Sequence, residues 1–108
     1  MANTELPDIL REFAAKYPHV WDAYNRLGEA TAQAGPLDER TQRLVKLAIA
    51  IGAGREGAVH SHARRALKAG IAPEELLHVG LLAITTIGWS GAFAAITWIM
   101  DVLPKEQT

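Results

Sequence analysis

The sequence predicts an all-α fold, a bundle of about six helices, and three observations carry that expectation. Apolar residues recur every three or four positions in one segment after another, with no strand-like alternation anywhere. The segments end at Gly and Pro breakers rather than at hairpin turns. From Leu76 to Met100 there is no Asp, Glu, Lys or Arg, so the last quarter of the chain is apolar nearly all round. A chain of 108 residues is expected to form one domain over 1–108, and a domain this small cannot easily bury that much apolar surface within itself. Burial against sister subunits is the natural remedy, so the bundle is expected to be oligomeric.

Taken in order, the first helix is expected between Leu6 and Tyr17, where Ile9, Leu10, Phe13 and Ala14 recur at helical spacing. Pro18 interrupts that helix or opens the next. The second carries Val20, Trp21, Tyr24, Leu27 and Ala30 on one face and stops near Ala34-Gly35-Pro36. Asp38 is a candidate N-cap for the third, whose apolar face holds Leu44, Leu47, Ala48 and Ile51 and which Gly52 and Gly54 close. A fourth lies between Gly54 and Gly70. Pro73, Glu74 and Glu75 suit the first turn of a fifth. The uncharged stretch from Leu76 is long enough to span a bilayer. His78, the Thr85-Thr86 pair and the break at Gly88-Trp89-Ser90-Gly91 argue instead for two shorter helices, roughly 74–87 and 90–103.

Composition narrows the chemistry. The net charge of −1 gives no electrostatic case for nucleic acid, because acids elsewhere balance the arginines. There are no cysteines, which excludes disulfides, thiolate metal sites and thiol peroxidase chemistry. The N-terminal stretch MANTELPDILREF lacks the basic start and apolar run of a signal peptide, which favours a cytoplasmic location.

The stretch Gly54 to Gly70, GREGAVHSHARRALKAG, concentrates the candidate functional residues. As a helix at about 100° per residue, it places Val59, Ala63, Ala66 and Leu67 on one apolar face, with Arg55 and Glu56 at its first turn. His60 and His62 flank that face on opposite edges, while Arg64, Arg65 and Lys68 read as a solvated face. Glu56 lies four residues before His60, so it can orient or charge that imidazole. A His-x-His pair suggests metal, but i,i+2 side chains diverge by about 200° on a helix. His60 and His62 would need His78 or a sister subunit to close such a site, and no metal or other cofactor is expected.

The segments LDERTQRLVKLAIAIGAG, EGAVHSHARRALKAG and PEELLHVGLLAITTIGWSGAFAAI, about two-thirds of the chain, resemble the carboxymuconolactone decarboxylase family, which includes the alkylhydroperoxidase D-like proteins. The resemblance implies an all-helical, alkylhydroperoxidase D-like subunit assembled into homo-trimers or homo-hexamers, and it aligns His62 with the family histidine. The peroxidase branch carries Cys-x-x-Cys-x-x-x-His with a supporting glutamate upstream. Here Arg55 and Ala58 stand at the two cysteine positions, and Arg43, before Leu44, stands at the glutamate position. The thiol peroxidase cycle therefore cannot run in this chain.

The decarboxylase branch needs no cysteine. The resemblance implies cofactor-free removal of carbon dioxide from a small carboxylate or lactone acid. That reaction requires a cation for the carboxylate, an electron sink for the developing enolate and a proton donor. The candidate catalytic residues are His62, Glu56 and His60: Arg55 can hold the carboxylate as a bidentate fork, His62 can donate the proton, and Trp89 can wall the substrate pocket. The alternative, of another class, is a non-catalytic oligomeric module for small-ligand binding or assembly, in which His62 is a polar residue satisfied at a subunit interface. The expected partners are sister subunits and a small carboxylate or lactone, without nucleic acid or membrane.

Overall fold

A computed structural model describes residues 7–105 and contains six α-helices in the expected order. They are α1 (Asp8–Lys16), α2 (Pro18–Gln33), α3 (Glu39–Ala53), α4 (Glu56–Lys68), α5 (Pro73–Ile87) and α6 (Trp89–Val102). There is no strand among the described residues. The chain divides into two compact units, residues 1–39 and 40–108.

In the first unit α1 and α2 pack on each other through aromatic side chains. Phe13 meets Trp21 edge-on, with ring centroids 6.3 Å apart, and Tyr17 at 5.4 Å. Pro18 occupies the first turn of α2, where its missing N–H costs nothing. Neither helix contains a fully buried residue. Val20, Tyr24 and Leu27, expected on one apolar face, are all more than half exposed, because two short helices offer too little facing surface to cover that stripe.

The second unit holds the hydrophobic core. Leu47, Ala50 and Ile51 of α3, Val59, Ala63 and Ala66 of α4, Leu76 of α5, and Ala95 and Ile99 of α6 form one buried cluster, joined by Ile71 from the α4–α5 turn. Fully burying a side chain such as Leu47, Leu76 or Ile99 contributes roughly 1.5–3 kcal/mol. The sequence signals for helix ends have a shared physical form here. Gly54 and Gly70 adopt positive φ, 68° and 93°, and each closes a Schellman turn. At the end of α3, Gly54 N–H donates to the Ile51 carbonyl and Arg55 N–H to that of Ala50; at the end of α4, Gly70 N–H donates to Leu67 and Ile71 N–H to Ala66. Both ends of α4 are thereby fixed against the core, which sets the direction of the side chains it carries.

Helix α5 begins at Pro73, and the Glu75 carboxylate accepts the Ala72 N–H at 3.0 Å, half of a capping box. Its other oxygen pairs with Arg40 of α3. The glycine at position 80 lets α5 approach α6 closely: a Cβ there would lie 2.7 Å from Ile96 Cγ1. The uncharged C-terminal region is divided at Gly88 into α5 and α6, and no helix among the described residues is long and apolar enough to cross a membrane. Much of that region's outer surface is apolar and uncovered. Leu81, Leu82, Trp89, Phe93 and Met100 are about half exposed or more, and Trp89 stacks on Phe93 with centroids 5.1 Å apart.

Candidate functional site

Helix α4 positions the candidate residues because its buried face is made of small residues. Val59, Ala63 and Ala66 have no exposed surface, so α4 sits deep in the core and the side chains on either edge of this face are partly drawn in with it. His60 and His62 are those edge residues, and both are half-buried. They lie about 200° apart around the helix, and the structure gives them different neighbours.

On the edge facing α6, the His60 Nε2 lies 3.0 Å from Asp101 Oδ2, a hydrogen-bonded pair between residues 41 apart in sequence. Glu56, one turn before His60, extends the pair into a cluster: one ligand-type atom from each of Glu56, His60 and Asp101 lies within 4.8 Å of the others. The expected proximity of Glu56 and His60 is thus joined by an acid from the far end of the chain. No Lys or Arg among the described residues forms an ion pair with Glu56 or Asp101.

On the other edge, His62 lies in a cationic field. Burial holds its imidazole below the usual value of 6.5, and the charges of Arg65, Lys46 and Arg43 lower it further. Two of those cations come from α3 and one from the next turn of α4, so the imidazole is neutral at pH 7 and surrounded by positive charge. A guanidinium such as that of Arg43 disfavours the imidazolium and favours an anion beside it.

The five candidate residues therefore do not form one group. Glu56 and His60 meet Asp101; His62 lies in the electrostatic field of Arg65, Lys46 and Arg43. The exposed Arg55 precedes α4 in an extended conformation. Trp89 opens α6 whereas Asp101 lies in its last turn, about 18 Å apart along the helix, so the Trp89 side chain belongs to the exposed apolar surface beside Phe93 rather than to the Glu56 cluster. Four residues at these two edges are not identified as functional by the sequence alone. Arg43 reads there only as a lost glutamate, Arg65 only as part of a solvated face, and Lys46 and Asp101 carry no local signal at all.

Comparison with known proteins agrees with this architecture. The sequence profile described as "Carboxymuconolactone decarboxylase family" matches residues 18–101. The crystal structure of an apo carboxymuconolactone decarboxylase family protein from Legionella pneumophila is similar in fold, with a TM-score of 0.72 and 22% identity over 88% of this chain and 84% of that one. A protein of Haemophilus influenzae described as uncharacterized is 36% identical over 55 residues, which is 51% of this chain and 49% of that protein. The match thus spans about half the length of that relative. By the extent of the profile match, the chain belongs to the carboxymuconolactone decarboxylase family.

Proposed function

We propose that the protein binds a small carboxylate or lactone acid beside His62 and decarboxylates it by cofactor-free acid–base chemistry. The observation that carries this reading is the half-buried, neutral His62 imidazole in the field of Arg43, Lys46 and Arg65. Such a field attracts an anion, and a bound carboxylate offsets the positive charge that disfavours protonation of the imidazole. The carboxylate thus raises the proton affinity of His62, and the imidazolium becomes available when substrate is present. Cleavage of the bond to the carboxylate carbon releases carbon dioxide and leaves its electron pair on the substrate as an enolate. The imidazolium then delivers its proton to the substrate carbon that had carried the carboxylate and returns to the neutral form. Arg55, exposed just before α4, is the further cation available to the carboxylate. Glu56 and His60, the other sequence candidates, cluster with Asp101 on the opposite edge and take no part in this step.

The apolar residues left exposed on α5 and α6 favour a homo-oligomer, a trimer or hexamer, in which Trp89 and Phe93 are covered by a sister subunit. In that assembly Trp89 can wall the substrate site of a neighbour.

The test is carbon dioxide release from a panel of lactone acids and small carboxylates, with wild type compared with H62Q. Turnover that falls at least 100-fold in H62Q while helicity and assembly are unchanged supports the reading. Turnover that survives in H62Q refutes the role of His62. Binding of a carboxylate without turnover in wild type selects the alternative, a non-catalytic ligand-binding module.

A further inference from the structure

We infer that Glu56, His60 and Asp101 form a divalent transition-metal site, separate from the carboxylate site proposed at His62 and independent of it. The three side chains come from two helices that are rigidly packed on each other. Val59 and Ala63 of α4, and Ala95 and Ile99 of α6, have no exposed surface, so the backbone positions of the three residues are fixed by the core. One atom from each residue lies within 4.8 Å of the other two.

The spacing suits coordination. His60 Nε2 and Asp101 Oδ2 are 3.0 Å apart. Two ligands at right angles on a metal with bonds of about 2.1 Å are also separated by about 3.0 Å. Glu56 is exposed and occupies the first turn of α4, so its carboxylate can swing by a rotamer change to complete a three-ligand face. The remaining positions are open to water.

Charge points the same way. Two carboxylates converge on one imidazole, and no Lys or Arg among the described residues pairs with either of them. Asp101 also lies in the last turn of α6, where the helix dipole disfavours an anion, and that turn has no basic residue. A divalent cation would offset both unfavourable features. One imidazole nitrogen with two carboxylates is a borderline donor set, suited to Zn²⁺, Co²⁺ or Ni²⁺ better than to the all-oxygen preference of Mg²⁺ or Ca²⁺. The metal-free hydrogen bond uses the Nε2–H tautomer of His60. Metal binding requires the ring proton on Nδ1, so that the Nε2 lone pair is presented to the metal.

The probe is Co²⁺, added to full-length protein made without a histidine tag and stripped with a chelator. Visible d–d absorption that saturates at one equivalent per chain is expected, together with a saturable rise in melting temperature when Zn²⁺ is added. D101N, at an exposed position that should leave the fold intact, is expected to weaken Co²⁺ binding at least tenfold, and H60Q likewise. H78Q and H62Q should leave it unchanged. No saturable absorption up to millimolar Co²⁺ would overturn the inference, as would binding that D101N leaves unaltered. Binding abolished by H78Q or H62Q would overturn it too, by assigning the metal to a different group of histidines.

Discussion

Replacement of Gly80 by alanine tests the packing that brings α6, and with it Asp101, against the rest of the core. In an open helix interior a Gly→Ala change stabilises by about 1 kcal/mol, because alanine loses less backbone freedom on folding. At position 80 the new methyl would lie 2.7 Å from Ile96 Cγ1, well inside the carbon–carbon optimum of about 3.5–4.0 Å. The encroached atom is the middle of a β-branched side chain, not its flexible tip. Ile has one strongly preferred rotamer in a helix, so the overlap must be relieved by forcing that rotamer or by spreading α5 from α6. Overpacking of this kind costs about 1–3 kcal/mol. The overlap therefore wins over propensity, and G80A should be destabilised by about 1 kcal/mol, lowering Tm by about 4–8 °C for a domain of this size. At Gly52, near the end of α3, a Cβ would meet nothing within 4 Å, so G52A supplies the matched control and should be neutral or slightly stabilising. Thermal melts of both variants at one protein concentration decide the matter. If G80A rises in Tm together with G52A, the close α5–α6 approach is wrong.

Other perturbations separate the core, the cap, the histidine and the exposed face. L76A removes a fully buried side chain and should cost about 2–5 kcal/mol, read from the shift of the urea midpoint. E75A removes the acceptor for the Ala72 N–H and the partner of Arg40; a loss of about 1 kcal/mol is expected by the same assay, most of it from the cap because the ion pair is solvent-exposed. His62 has a lowered folded-state pKa, so between that value and 6.5 the unfolded chain binds more protons than the folded one. Stability is then fully present above about pH 6.5 and declines as pH falls through that window; in chelator-treated protein, H62Q should flatten the fall in Tm between pH 7 and 5, and an unchanged slope would count against the burial of this ring. F93D, placed in the exposed apolar surface, should reduce the assembled mass in light scattering while leaving the helical circular dichroism spectrum intact.

The helices were legible because their signals are local. Pro18 and Pro73 open α2 and α5, Gly54 and Gly70 close α3 and α4 through the same turn geometry, and Gly88 divides the uncharged region. Each signal acts on backbone no more than five positions away, the prolines through their fixed φ and the glycines through turn hydrogen bonds. The 3.6-residue period likewise identified Val59, Ala63 and Ala66 as the buried face of α4. The same period did not decide whether an apolar stripe is covered. On α2 the predicted face of Val20, Tyr24 and Leu27 remains open, since coverage depends on a partner surface that no single helix encodes.

The candidate residues of α4 could be picked out in the sequence, but not their grouping or their charged neighbours. A helix period relates Glu56 to His60 and separates His60 from His62, so the sequence alone could suggest an acid–imidazole pair and reject a two-histidine metal site. It could not supply Asp101, because that residue reaches His60 only after α6 packs across α4. Nor could it supply the field at His62, where Lys46 and Arg43 of α3 add to Arg65 of α4. The consequence is more than a longer residue roll. The two edges of α4 carry opposite charge: carboxylates around His60 and cations around His62. An anion is favoured at one edge and a cation at the other. Two histidines separated by a single serine therefore face different chemistry, and substitutions at one edge should leave ligand binding at the other unchanged.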